Sequence, residues 1–153
     1  MTAELDGYYA DAAITVPVQP VSPERLSLAR CAQLALRKAT ASATAGCPMN
    51  VIGRSVQSEV ERKGFSVIRA LGGHGVGRTI HEEPSVHNYY ASWDNEPLVE
   101  GLVRAIEPVI SAGSGRSRDA DDGWTVLTAD GADSAHFEHT VVITRGHPLV
   151  LTA

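Results

Sequence analysis

Residues 72–90 read GGHGVGRTIHEEPSVHNYY, and this stretch decides how the rest of the chain is interpreted. It holds four Gly, three His and two Glu in nineteen residues, directly after an apolar, strand-like run. Glycine lets a backbone pass where a Cβ would clash, so we expect a ligand or metal ion to approach closely here. His74 and His81 lie seven residues apart, and each is a candidate to reach a central site. The alternative is a glycine-rich loop that carries surface histidines.

Further motifs accompany this stretch along the chain. They are YYADAAITV at 8–16, IEP at 106–108, DGWTV at 122–126 and FEHTVVIT at 137–144. Together with GHGVGRTIHEEPSV at 73–86, they follow the order of the motifs of the type I methionine aminopeptidases. The chain therefore resembles that family of pita-bread metallopeptidases. The resemblance covers nearly the whole chain, but only the C-terminal, larger part of such an enzyme.

The resemblance implies a fold class, which is α+β with the pita-bread (creatinase/aminopeptidase-like) architecture, here N-terminally truncated. Residues 1–153 are expected to form a single, partial metallopeptidase catalytic domain. The hydrophobic pattern by itself favours helices packed on one side of a mainly antiparallel sheet.

Local signals predict where the elements begin and end. Asp6-Gly7 is a hairpin signal between two strands within residues 5–18. Ser22-Pro23 predicts the N-cap and first position of a helix that ends at residues 46–48. A second helix is expected from Asn50 to a glycine stop at Gly64. Further strands are predicted over residues 65–71, 98–106, 109–110, 124–127, 136–144 and 149–152.

Composition excludes several classes of protein. A length of 153 residues is enough for one domain with a real core, and 43% apolar with 20% charged residues is ordinary for a globular protein. The net charge of −5 argues against nucleic-acid binding, and no apolar run is long enough to span a membrane. Cys31 and Cys47 form no CxxC pair, which favours reduced thiols in a cytoplasmic protein.

The metal ligands follow from the resemblance. Asp11 interrupts an apolar run, where a water-facing Asp at a strand edge is the alternative to a ligand. By resemblance, Asp11 and Glu138 bridge two divalent ions, while His74 and Glu107 are ligands of one of them. Carboxylates with one imidazole suit Mn, Fe, Co or Zn.

Catalytic and substrate residues follow in the same way. Glu107 resembles the general base for the attacking water. His81 resembles the histidine that hydrogen-bonds the scissile peptide, and the alternative is a loop histidine with no catalytic role. Ile80 and Trp124 resemble the wall of the methionine pocket, and plain core packing is the alternative at each. The remaining histidines are assigned as structural or surface residues, with His139 also a candidate to support the ligands: His87, His136, His139 and His147.

The chain also departs from the family pattern. A further metal-binding Asp belongs eleven residues before Asp11, a place that falls just before Met1. We therefore expect one ion, on His74 and Glu107, to be held well and its neighbour poorly. The preceding half, with most of the substrate pocket, is also missing. An exposed sheet edge then predicts self-association or pairing with a complementary N-terminal fragment.

The expected function is metal-dependent hydrolysis of the first peptide bond, which removes the N-terminal methionine from nascent polypeptides. Two alternatives stay open. One is a non-catalytic pita-bread module that binds a peptide or protein, although such a module has no need to keep the ligand set. The other is a proline-directed aminopeptidase of the same superfamily, which the HEEPSV run at 81–86 and DGWTV disfavour.

Overall fold

Two helices and twelve strands make up the chain, and the computed structural model describes all residues 1–153. Helix α1 spans Pro23–Ser42, and the Ser22 hydroxyl accepts a hydrogen bond from the Arg25 N–H at 3.2 Å. The predicted start of α1 is confirmed, but the helix ends several residues before 46–48. Helix α2 spans Asn50–Arg62 and is followed by Gly64 at a φ of 78°, as predicted.

The strands are mostly short. In chain order they are β1 (Thr2–Leu5), β2 (Tyr8–Ala13), β3 (Ser66–Val67), β4 (Gly73–Gly75), β5 (Glu82–Val86), β6 (Val103–Ile106), β7 (Val109–Ser111), β8 (Ser117–Asp119), β9 (Val126–Thr128), β10 (Ser134–His136), β11 (Glu138–Val142) and β12 (Leu149–Val150). The predicted turn at Asp6-Gly7 joins β1 and β2, and both residues have positive φ. The two strands cover 2–5 and 8–13 rather than lying within 5–18, and residues 14–18 are not strand.

A seven-stranded antiparallel sheet forms the centre of the fold. Its strand order is β1-β2-β11-β6-β4-β5, with β12 paired to the far end of β11. A second sheet has the order β10-β7-β3, and β8 pairs with β9 in a separate hairpin. The expected α+β class with a mainly antiparallel sheet is confirmed.

Several predicted strands differ from the observed ones. The run 65–71 yields only β3, and the run 98–106 becomes regular strand only at Val103. The run 136–144 is divided at Phe137, because β10 pairs with β7 while β11 pairs with β2 and β6. Strand β8 lies between residues 111 and 122, where no strand was predicted.

The hydrophobic core lies between the two helices and the sheets. Its buried residues come from the inner faces of α1 and α2 and from the central strands, including Leu36, Ile52, Val56, Ile106 and Val141. Both helices share this single core, as the expected layering requires. Neither helix combines the length and apolarity that crossing a bilayer demands.

The glycines of β4 are explained by the neighbouring strands. A Cβ on Gly73 would lie 2.0 Å from the main-chain oxygen of Ala105 on β6. A Cβ on Gly75 would lie 2.8 Å from the main-chain oxygen of Glu82 on β5. The sequence predicted a ligand or metal ion close to these glycines, but the space beside Gly73 and Gly75 is occupied by the main chains of β6 and β5, which lie on either side of β4.

Candidate metal centre

Four adjacent strands place the predicted metal ligands at one region of the central sheet. Asp11 lies on β2, Glu138 begins β11, Glu107 follows β6, and His74 is the middle residue of β4. These strands are neighbours in the order β2-β11-β6-β4. Antiparallel pairing aligns Glu138 with Ala13, and His74 with Ala105. Residues far apart in sequence therefore converge because their strands are paired.

The distances between the side chains are short. Asp11, His74 and Glu138 each offer one ligand atom, and these atoms lie within 4.8 Å of one another. His74 Nε2 lies 3.6 Å from Glu107 Oε1. The structure thus brings all four predicted ligands together, with His74 and Glu138 buried and Asp11 and Glu107 partly buried.

The His74 ring is oriented by its own strand. Its Nδ1 lies 2.8 Å from the main-chain oxygen of Gly75, an acceptor only. Nδ1 must therefore carry the proton, which leaves the Nε2 lone pair free toward the carboxylates. This tautomer is the one that a metal bound at Nε2 requires.

Glu138 is the most deeply buried of the four, at 4% exposure. Burial, and then the negative charges of Glu107 and Asp11, raise the pKa of Glu138 from 4.5 to about 7. Its Oε1 is buried and has no hydrogen-bond partner. A buried acceptor without a donor is costly, and three crowded carboxylates repel one another. A divalent cation among them would remove both costs, so the residues present fit such an ion.

Two polar side chains fix the main chain at the ligands. The buried Thr140 hydroxyl accepts a hydrogen bond from the Asp11 N–H at 2.9 Å and donates one to the Asp11 carbonyl at 2.8 Å. The Asn88 amide donates to the Glu107 carbonyl at 2.8 Å. Supporting hydrogen bonds of this kind restrict where a ligand side chain can point.

His136 lies beside the same carboxylates, a position that the sequence did not predict. Its Nε2 lies 3.2 Å from Glu107 Oε2 and 3.9 Å from Glu138 Oε2, although it was assigned a structural or surface role. The signal that was available is its position two residues before Glu138, because alternate residues of an extended chain point to the same face. His139, the candidate supporting residue, instead has its Nδ1 3.1 Å from Thr152 Oγ1.

The predicted catalytic and pocket residues differ in their placement. The His81 ring is exposed and packs edge-on against His74, with 4.4 Å between ring centroids. Ile80, next to it, is half-buried. Trp124 lies in the turn between β8 and β9 and is 86% exposed, so it is not part of the core. His81 thus adjoins the ligands.

Comparison with known proteins agrees with this geometry. The sequence profile of metallopeptidase family M24 matches residues 1–145. The chain is 43% identical over 154 aligned positions to methionine aminopeptidase 2 of Bacillus subtilis, covering 99% of this chain and 61% of that protein. It superimposes on the crystal structure of methionine aminopeptidase from Thermotoga maritima with a TM-score of 0.92 at 39% identity, covering 96% of this chain and 59% of the other. For the crystal structure of methionine aminopeptidase from Rickettsia prowazekii, the TM-score is 0.95 at 35% identity, and the match covers 99% of this chain and 62% of the other.

These similarities confirm the pita-bread fold and the resemblance to methionine aminopeptidases. The chain spans about three fifths of the length of these relatives and corresponds to their C-terminal part. The family consists of metallopeptidases, which implies that divalent metal is bound, and the grouped ligands agree with that. With the match extending over nearly all of its residues, the chain belongs to metallopeptidase family M24.

Proposed function

We propose that this chain carries the metal-binding part of a site that hydrolyses the first peptide bond of a polypeptide and releases N-terminal methionine. The observation that carries the proposal is the convergence of Asp11, His74, Glu107 and Glu138 at the middle of one sheet. Crowded carboxylates that are buried or partly buried are costly to the fold unless a cation joins them. The relatives at about 40% identity are named methionine aminopeptidases, which favours this reaction over others.

The cofactor would be Mn, Fe, Co or Zn, all of which accept mixed carboxylate and imidazole ligands. The intact family is expected to use two ions, and this chain to hold one of them well through His74 and Glu107, with Asp11 and Glu138 shared between the positions. When bound, such an ion polarises a peptide carbonyl and lowers the pKa of a water molecule.

The chain's own residues would supply the proton transfers. Glu107 is partly buried, and a carboxylate oxygen there can accept a proton from the attacking water. His81 packs against the ligand His74, where its ring can donate a hydrogen bond to the scissile peptide and its developing oxyanion. Ile80 and the exposed Trp124 are proposed as walls around the methionine side chain of the substrate.

The substrate class would be the N-termini of nascent polypeptides, and the compartment the cytoplasm, where such substrates arise. Cys31 and Cys47 are both free thiols, which agrees with a reducing compartment. Residues 1–153 are proposed as a single, partial catalytic domain, supported by the one core that joins both helices to the sheets.

Self-association, or pairing with a complementary N-terminal fragment, is proposed on the exposed edge. Strand β1 pairs only with β2 and is exposed along its length. Ile14, Val16 and Val18 continue from β2 with exposed apolar side chains. An unpaired edge beside apolar side chains favours strand addition. Light scattering on the purified chain should give a mass above 16.2 kDa, and a monomer at high concentration would contradict this.

The proposed function is tested with a peptide panel. The purified chain is incubated with each of the four metals and with peptides that begin with Met-Ala, Ala-Ala or Ala-Pro. Release of methionine alone, lost in Glu107→Gln, is the expected result. Cleavage of the Ala-Pro peptide would favour the proline-directed alternative. Peptide binding without cleavage under every metal would favour the non-catalytic module.

A further inference from the structure

His136 faces the same carboxylates as the predicted ligands. Its Nε2 is 3.2 Å from Glu107 Oε2 and 3.9 Å from Glu138 Oε2. The nitrogen is buried, yet it makes no hydrogen bond, so its alignment with the nearer oxygen is not that of an ordinary ion pair. A buried polar atom without a partner costs free energy. A cation between the three groups would give it a partner.

The main chain of His136 is held in place by a threonine. The Thr15 hydroxyl accepts a hydrogen bond from the His136 N–H at 2.9 Å and donates one to its carbonyl at 2.8 Å. Thr140 holds the ligand Asp11 with the same pair of bonds. The residue is therefore positioned in the same way as an expected metal ligand.

The donors form two groups that share Glu138. One group is Asp11, His74 and Glu138, and the other is Glu107, His136 and Glu138, each with its ligand atoms within 4.8 Å of one another. Donors bound to one ion lie at most about 4.4 Å apart, because each metal–ligand bond is roughly 2.0–2.2 Å long. His136 does not join the first group, so a single ion cannot take all five residues.

Glu107 connects the two groups. Its Oε1 lies 3.6 Å from His74 Nε2, and its Oε2 lies 3.2 Å from His136 Nε2. Each oxygen of one carboxylate thus faces a different imidazole. A carboxylate placed in this way could offer one oxygen to each of two cations.

We propose that Glu107, His136 and Glu138 form a second divalent-cation position, in which the His136 imidazole is a ligand. The inference rests on the metal centre proposed above and differs from the family pattern in two ways: His136 is an added ligand, and Glu107 rather than Asp11 is shared with the first position. One imidazole and two carboxylates suit Mn, Fe, Co or Zn. With only three protein donors, two of them shared with the first position, the second ion binds more weakly than the first.

Calorimetric titration with Co²⁺ tests the proposal on the parent chain, on His136→Ala and on His139→Ala. His139 is the matched control, because it is three residues further along the chain and contacts Thr152 rather than the carboxylates. The parent chain should bind two ions in a stronger and a weaker step. His136→Ala should keep the stronger step and weaken the second at least ~100-fold, since changes merely to a ligand's hydrogen-bond partner already cost 10–100-fold. His139→Ala should keep both steps.

The other results are each decisive. A single step in the parent chain overturns the second position, while the proposed metal centre stands. Two steps that His136→Ala leaves unchanged overturn His136 as a ligand. No binding at all overturns the metal centre itself and this inference with it.

A second measurement on the parent chain avoids any effect of substitution on folding. Imidazole ¹⁵N NMR during Zn²⁺ addition should shift the His74 ring at the first equivalent and the His136 ring at the second. The His139 ring should not move. A His136 signal that stays in place through the second equivalent would overturn the proposal.

Discussion

The Thr140 hydroxyl makes hydrogen bonds to both main-chain polar groups of Asp11, at 2.9 Å from the N–H and 2.8 Å to the carbonyl. Thr140 is fully buried on β11, and Asp11 lies on the neighbouring β2. A single side chain therefore fixes the position of a proposed ligand. It does so from the strand that also begins with Glu138.

Replacing Thr140 by Val should remove both bonds without a change of shape. Two part-buried main-chain groups lose their partner, so we expect a loss of about 1–3 kcal/mol in the free energy of unfolding. Metal affinity should fall roughly 10–100-fold, because Asp11 is no longer held. Urea denaturation and calorimetry measure the two effects. Thr140→Ser keeps the hydroxyl, and equal metal affinity in Val and Ser variants would contradict this role.

Metal affinity should depend on pH through Glu138. Its pKa is raised to about 7 by burial and by Glu107 and Asp11, so the metal-free protein holds a proton there at lower pH. A cation must displace that proton, and the affinity should fall about tenfold for each pH unit below 7 from this group. Calorimetry in buffers with different ionisation enthalpies should detect proton release at pH 6 and little at pH 8. Equal proton release at pH 6 and pH 8 would contradict the raised pKa of Glu138.

The raised pKa of Glu138 also determines how the stability of the metal-free protein changes with pH. A carboxyl whose pKa is higher in the folded state than in the unfolded state binds its proton more tightly when folded. Its contribution to stability is therefore present below pH 4.5 and declines as the pH rises to about 7. Glu138→Gln should flatten the metal-free unfolding midpoint across this window. The unfolding midpoint of the parent chain should not rise with pH through this window. If it rises, and rises equally in Glu138→Gln, the stabilising role of the protonated Glu138 is contradicted.

Much of the site could be predicted because its ligands lie within distinct motifs. Asp11, His74, Glu107 and Glu138 were assigned through the family resemblance that those motifs carry, whereas the turn at Asp6-Gly7 and the cap at Ser22 were predicted from local chemistry alone. These signals depend on neighbouring residues, which the sequence displays directly.

Other features depend on pairing between distant strands and were missed. Phe137 divides one apolar run between two sheets, which local pattern cannot reveal. His136 stands in that divided run. Its spacing of two residues from Glu138 indicated a shared face, but its position beside Glu107 depends on which strands pair. Periodicity reports which residues share a face, but the partner strand decides what that face meets.

Gly73→Ala should disrupt the centre of the sheet. The added Cβ would lie 2.0 Å from the main-chain oxygen of Ala105, which strand pairing holds in place. β4 and β6 would have to separate, so we expect a loss of about 3 kcal/mol or more and weaker metal binding through His74. Gly146→Ala is the control, because nothing lies within 4 Å of its added Cβ. Thermal unfolding that is the same in both variants would show that β4 tolerates the Cβ.

Glu59 on α2 offers a test of stability that is independent of the metal centre. Its buried carboxylate receives charged hydrogen bonds from Lys38 on α1 and from Arg62, and the two helices are joined through it. Burial alone would raise the pKa of Glu59, but the two cations outweigh it and hold the pKa below its usual value. Its stabilising contribution is therefore present above about pH 4.5 and is lost as the pH falls through the folded-state pKa.

Glu59→Gln should cost about 1–3 kcal/mol at pH 7, which is less than the roughly 3–5 kcal/mol of a fully buried pair, because Lys38 and Arg62 are half-exposed and can turn to water. Glu61→Gln, on the exposed face of the same helix, should change stability by less than about 0.5 kcal/mol. Both values come from urea denaturation at pH 7 and again near pH 3. The difference between the variants should shrink as the pH falls, because protonation removes the charge of Glu59 in the parent chain. A difference that is the same at both pH values would mean that packing between the helices, and not the charge of Glu59, provides the stability.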